Sequence, residues 1–202
     1  RNLAIQTKCH TSKPCDPTNL APFGATEDGL NFKTTGQDSK EVLIPSDNTV
    51  SSFWITNPDN TYRDNVAAGS DATGFWFAFP EHPTGKFEGT EISKATWPRR
   101  TPFREFKGNV AHSNFDGMML DRGPAPDGRF GIAGPNLTSY NDPSDPKSGT
   151  VVAVFDNFTG YKNRNGAIWG RGEHHLYKNP KLADNAIGFT HASGIPGIAP
   201  YT

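Results

Sequence analysis

The chain has 202 residues, enough for one domain of ordinary size, and only 34% of them are apolar. Its 21 glycines and 17 prolines suit short strands separated by many turns and argue against long helices. A formal net charge of −1 gives no global field for nucleic acid, so any anion must meet a local arginine or lysine cluster, and no apolar run has the length of a membrane span.

In chain order, residues 1–8 read as a strand. The chain starts at Arg1 without a secretory leader and directly in strand-like sequence, which suggests a piece of a longer protein. Residues 9–29 form a Pro-, Asp- and Gly-rich loop excursion. Brief apolar stretches follow at 30–32 and 42–45. Val50–Thr56 is the first firm strand, rich in aromatic and β-branched residues, and Asn57–Asn60 is a turn. A polar strand, a bend at Ala67–Ser70 and the apolar run Gly74–Phe79 come next. A second excursion covers 80–102, and Phe103–Leu120 resumes the strand pattern. A third excursion covers 122–149. Val151–Phe158 reads as a buried strand, and 158–191 hold two short units. No helical periodicity emerges.

Four stretches share an outline of Asn, a small or polar bend, Gly and a few apolar residues. They begin at Asn65, Asn109, Asn163 and Asn185, and Gly166 and Gly188 are 22 residues apart. Self-similarity at this period predicts stacked coils, hence an all-β, right-handed parallel β-helix with long loop excursions, a single domain over 1–202. Each coil cannot bury its apolar side chains alone; stacking pairs the strands and joins interior residues into rows. The four asparagines are then expected at one bend, where Asn tolerates left-handed backbone and bonds the next coil.

Several groups are candidates for chemistry. Asp116 and Asp121 in the central coil, with Asp71 at the preceding bend, are the carboxylates for glycoside hydrolysis, which uses an acid and a base or nucleophile. His112 is placed to tune them near neutral pH. Arg171 and Arg122 suit bidentate capture of a uronate carboxylate, and His191 lies at a later bend. Trp97, beside Arg99 and Arg100, is a better sugar platform than Trp76, whose apolar surroundings indicate core. His174 and His175 beside Glu173 raise a metal reading, although adjacent strand residues face opposite ways. The bend near Gly117 is expected to bring His112 and Asp116 onto a groove within reach of Arg171 or His191, walled by the excursions at 80–102 and 122–149. Asn141–Asp145 offers oxygen ligands for Ca²⁺ without EF-hand spacing; no other cofactor is indicated. Asn136 and Asn157 head N-glycosylation sequons. Cys9 and Cys15 allow a disulfide, two free thiols, or a metal site with His10.

Ser52–Pro58, Asn65–Ser70, Thr73–Phe77, His82–Gly85, Ala111–Asn114, Tyr161–Asn163, Gly166–Gly172 and Ala183–Gly188 occur in one order. This set, across about residues 50–194, resembles the right-handed parallel β-helix region of the cell-migration-inducing, hyaluronan-binding proteins and their transmembrane relative, and in part fibrocystin-like proteins. The resemblance implies an extracellular protein that binds or depolymerises a hyaluronan-like polysaccharide. It also implies a Cys9–Cys15 disulfide and other domains of a parent protein as partners. In that family this region normally follows an N-terminal all-β module, the G8 domain. The alternative is a non-catalytic glycan-binding or structural solenoid segment.

Overall fold

Residues 1–8, 50–83, 85–120, 123–124, 130–131 and 137–192 are described by the structure, a computed structural model. The expected loop at 9–29 and the apolar stretches at 30–32 and 42–45 lie outside them.

The apolar runs set the longest strands. β2 (Ser51–Ile55), β5 (Thr73–Phe77), β8 (Asp116–Leu120), β15 (Gly166–Arg171) and β18 (Ile187–Ala192) lie side by side, all parallel, as sheet III. Three-residue strands of small side chains, β1 (Leu3–Ile5), β4 (Val66–Ala68), β7 (Val110–His112), β14 (Thr159–Tyr161) and β17 (Lys181–Ala183), make parallel sheet I. Sheet II holds β3 (Thr61–Arg63), β6 (Glu105–Lys107), β13 (Ala153–Asp156) and β16 (His175–Lys178), again parallel. From β3 onward the chain passes through sheets II, I and III in that order four times. The stretches 65–77, 109–120 and 163–170 therefore do lie beside one another.

Alternation decides what each strand of sheet III buries. Phe75, Phe77, Met118, Leu120 and Ile168 face the interior, where they meet Phe106, Phe155 and Phe158. Phe75 and Phe77 make edge contacts with Phe106 at 5.4 Å each. Each fully buried phenylalanine contributes roughly 2–3 kcal/mol. Trp76 is only 1% exposed, as its apolar surroundings indicate; with Ala78 and Met119 it forms a second, separate buried cluster on the other face, flanked by Trp54 and Trp169. The central strands β5 and β8 are thus buried on both sides, which is why they read as unbroken apolar runs.

The bends carry the repeat, and there are two of them, not one. Before sheet I the chain turns at Asp64, Gly108, Asn157 and Asn179; after it, at Gln6, Gly69, Ser113, Lys162 and Asp184. All nine have φ between 51° and 70°, the left-handed region. A polar residue follows most of these positions and ties adjacent coils. At the first bend the Asn65 backbone N–H and Nδ2 donate to Asn109 Oδ1, both at 3.0 Å, and Asn2 does the same to Asn65. Phe158, buried against Phe75 and Phe106, ends this ladder. At the second bend Asn114 donates to Asn163 Oδ1, and Asn163 to Asn185 Oδ1. Asn65 and Asn109 therefore belong to one ladder, Asn163 and Asn185 to another. The 22-residue spacing of Gly166 and Gly188 is likewise off by one: Gly166 pairs with Ile187, so Gly188 is level with Ala167 and Gly117.

Excursions leave the stack between sheets III and II. The first, after β5, contains a single 3₁₀ turn (Gly85–Phe87) and the short helix α1 (Glu91–Ala95). Thr90 caps α1 by accepting from the Ser93 N–H, but five residues are too few to show periodicity. The second follows β8 and includes two antiparallel hairpins, β9 (Gly123–Pro124) with β10 (Phe130–Gly131) and β11 (Ser139–Tyr140) with β12 (Thr150–Val151). The two excursions bond each other: Thr138 N donates to Arg99 O and Tyr140 N to Arg100 O, each at 3.0 Å.

Candidate functional site

The bend between sheets I and III brings Asp71 and Asp116 onto neighbouring coils. The Phe115 and Asp116 N–H groups both donate to Ala72 O, at 2.9 and 3.0 Å. Their side chains part there. Asp71 is partly exposed and takes Lys8 Nζ at 2.9 Å. Asp116 is 2% exposed, and its Oδ1 accepts from Asn165 Nδ2 at 2.7 Å and Gly166 N at 3.1 Å. A carboxylate buried in this way braces the next coil. His112 faces outward from β7, stacked on Tyr161 at 4.7 Å with its Nδ1 3.2 Å from Ser113 Oγ.

Nor are the expected partners of Asp116 nearby. Met118 pairs with Ile168, so Asp116 is level with Gly166, and Arg171 lies five residues further along the strand. At ~3.3 Å per residue that is about 16 Å. Both excursions leave the stack at this far end. The candidate residues segregate: Asp71, His112 and Asp116 at one end of sheet III, Arg171 and His191 at the other. Trp97 belongs to the excursion that leaves from that second end.

This far corner is where polar and aromatic groups converge. The Trp97 ring lies 4.1 Å from the Arg100 guanidinium and 4.0 Å from the His82 ring. His82 Nδ1 is 3.0 Å from Ser93 O and 2.9 Å from Thr96 O; both are acceptors, so Nδ1 carries the proton. Arg100 Nη2 donates to Glu81 Oε1, and Arg99 Nη1 is 3.6 Å from Glu81 Oε2. One carboxylate thus serves two guanidinium groups. Burial holds Arg99 below the usual arginine range despite Glu81, and its Nε donates to Phe79 O at 3.3 Å.

Leu137 links this group to a second one. Thr138 bonds Arg99, while Leu137 O accepts from His175 Nε2 at 2.8 Å. Burial pushes the His175 imidazole down to about 4, against the opposing backbone bond to Leu137. With Nε2 protonated, His175 Nδ1 is a sealed acceptor that finds no partner among the described residues; the Tyr177 hydroxyl is in the same position, and its pKa is raised by burial. Gly170 makes room for Tyr177, since a Cβ there would lie 2.2 Å from the hydroxyl oxygen. His191 closes the group, its ring 5.7 Å from Tyr177 and its Nε2 3.1 Å from Gly172 O. Sequence reading missed Glu81 and Tyr177 entirely. His82, charged Glu81 and two arginines within 20 residues of an isolated tryptophan were the available signal.

Asp121, Arg122, Cys9, Cys15 and Asn136 lie outside the described residues. Asn157 sits at the bend before β14 in left-handed backbone. The Asn141–Asp145 stretch spends its oxygens locally: Asp142 Oδ1 accepts from Ser144 N and Oγ, which holds its carboxyl below the usual range, and Asp145 Oδ1 accepts from Lys147 N. No group of three His, Cys, Asp or Glu stands close enough to hold a metal ion among the described residues, so Glu173, His174 and His175 do not form the metal cluster considered from sequence.

Residues 1–119 match the CEMIP beta-helix family. A protein of Dictyostelium discoideum is 38% identical over 160 residues, 74% of this chain and 15% of its own length. The cell migration-inducing and hyaluronan-binding protein of Mus musculus is 36% identical over 187 residues, 86% of this chain. The cell surface hyaluronidase CEMIP2 of Homo sapiens is 32% identical over 206 residues, 95% of this chain. The chain spans only 13% and 14% of the length of these last two. Fibrocystin-L of Mus musculus is 29% identical over 160 residues. With parallel strands repeating through three sheets and a family match over more than half its length, this chain belongs to the CEMIP beta-helix family.

Proposed function

We propose that this chain is the β-helix part of an extracellular protein that handles a hyaluronan-like polysaccharide, with the sugar held at the corner between sheets III and II. The three sheets wind as one right-handed parallel β-helix. The repeated order of sheets and the right-handed preference of parallel crossovers support this. The observation that carries the function is Trp97 with Arg99 and Arg100: an aromatic ring for a sugar face beside two guanidinium groups that share one carboxylate. Relatives named for hyaluronan support the polymer class. Titration of hyaluronan oligosaccharides into the protein and into a Trp97→Ala variant tests it. Binding weakened about tenfold or more by the variant supports the site. Equal affinity places the polymer elsewhere, and no binding by either protein defeats the reading.

Cleavage is a second reading, favoured by the relatives named as hyaluronidases. Asp71 and His112, partly exposed at the other bend, and Glu173 and His174, at the polar corner, are described groups suited to proton transfer. Release of reducing ends, with absorbance of unsaturated uronate monitored in parallel, distinguishes hydrolysis, elimination and binding alone.

A further inference from the structure

We propose that Glu81 is a resident competitor at this corner: its carboxylate occupies the place that a uronate carboxylate takes when the sugar binds, and the exchange makes the site selective for carboxylated glycans. The proposal rests on the polysaccharide reading above.

Three observations carry it. First, the charges do not balance. Arg99 and Arg100 face one carboxylate, and only Arg100 holds it closely; Arg99 reaches it at 3.6 Å. Arg99 is also partly withdrawn from water, so solvent makes up its deficit only in part. Second, the three side chains are reachable but not loose. Their exposures are 27% for Arg99, 24% for Arg100 and 35% for Glu81, so a ligand can enter without unfolding the excursion. The backbone beneath is tied down, because Arg99 O and Arg100 O accept from Thr138 N and Tyr140 N of the excursion after β8, and Arg100 N donates to Trp97 O at 3.0 Å. Third, Arg100 already lies over the Trp97 ring. A pyranose against that indole brings a substituent carboxylate to the guanidinium fork, whose planar pair of donors matches a carboxylate.

The consequence is discrimination by exchange. A uronate that displaces Glu81 recovers the bonds Glu81 gives up. A neutral sugar recovers nothing, so it must bind with the Glu81 pair intact and gains only the stacking.

The test uses the protein with Glu81→Gln and Arg100→Lys variants, titrated with a hyaluronan octasaccharide and with the same octasaccharide after reduction of its carboxyls to alcohols. Glu81→Gln keeps the size of the side chain and removes the competing charge. It is expected to tighten binding of the native octasaccharide about three- to fivefold, the worth of a partly exposed ion pair, and to leave the reduced one unchanged. Arg100→Lys keeps the charge but loses the fork, and is expected to narrow the preference for the native sugar. Thermal melts of both variants check that the excursion stays folded. If Glu81→Gln binds both sugars as the parent does, or tightens both equally, carboxylate exchange is overturned while polysaccharide binding stands. If neither sugar binds the parent or the variant, both the exchange and the reading beneath it fall.

Discussion

Asn114 ties together three coils, and its removal separates buried from exposed rungs of the ladder. Its Oδ1 accepts from Ser70 N at 2.8 Å, and its Nδ2 donates to Ala67 O and Asn163 Oδ1 at 3.2 Å each. The residue is fully buried. Asn114→Ala leaves the Ser70 N–H and the Ala67 carbonyl without those partners, at about 1–3 kcal/mol for each sealed group. Adding the lost bond to Asn163, we expect a loss of about 3–5 kcal/mol. Asn185 makes similar bonds, to Asn163 and to Gly160 O, but is only half-buried, so water replaces much of what alanine removes. Asn185→Ala should cost about 1 kcal/mol. Urea unfolding followed by far-ultraviolet dichroism reads both, and at a slope of about 1–3 kcal/mol/M the midpoints should separate by roughly 1 M or more. Equal midpoints for the two variants would refute the argument that burial of the rung sets its worth.

Three further outcomes are expected. His175 is buried neutral, with Leu137 O, Glu173, His174, His191, Phe155 and Tyr177 around it. Its folded pKa of about 4 lies below the ordinary 6.5, so the unfolded chain binds the extra proton first. Stability from this group is complete above about pH 6.5, falls as the pH drops, and levels off only below about 4, a total on the order of 3 kcal/mol. A His175→Gln variant should show a flatter stability profile between pH 7 and 4.5, and an unchanged slope would remove His175 as the cause. A Cβ on Gly117 would lie 2.5 Å from Ala167 O, whereas one on Gly188 meets nothing within 4 Å. Gly117→Ala should therefore lower stability by at least about 1–3 kcal/mol while Gly188→Ala is close to neutral; a reversed order in thermal melts contradicts the register. Asp116→Ala should cost about 2–4 kcal/mol by stranding the Gly166 N–H and Asn165, and Asp116→Asn, which keeps an acceptor oxygen, should cost less. An Asp116→Ala protein with an unshifted urea midpoint would show that the carboxylate does not brace the next coil.

The central strands of sheet III are legible in the sequence because both of their faces are buried, which leaves continuous runs such as Gly74–Phe79. Sheet I is not: Val66–Ala68 and Lys181–Ala183 are too short and too small to show a pattern. The two ladders merge on paper because Asn109 and Asn114 stand five residues apart and either spacing gives a plausible repeat. Lys162, Ser113 and Asp184 hold left-handed backbone without the glycine that would announce it. The carboxylates at the Asp116 bend drew attention through residue type, yet side-chain direction, which the sequence does not carry, sends one to solvent and the other inward. Trp97 with Arg99 and Arg100 was readable as a unit because all three are close in sequence. Their connection to His175 was not, since it runs through the Leu137 carbonyl.

The ladders also bear on where this chain tolerates growth. Asparagine amides clamp both bends beside sheet I through the central coils, and there the connections stay short. Two of the long inserts lie at the corner between sheets III and II, where no such rung stands among the described residues, and the third lies between Ile5 and Ser51. A lengthened bend in the ladders beside sheet I would strand the amides of two neighbouring coils, whereas a lengthened corner disturbs none among the described residues. The two corner inserts follow successive coils, so they lie next to each other. That is how residues from two separate inserts, Arg99 and Thr138, come to be hydrogen-bonded neighbours, and why further sequence added at this corner is expected to meet the residues already there.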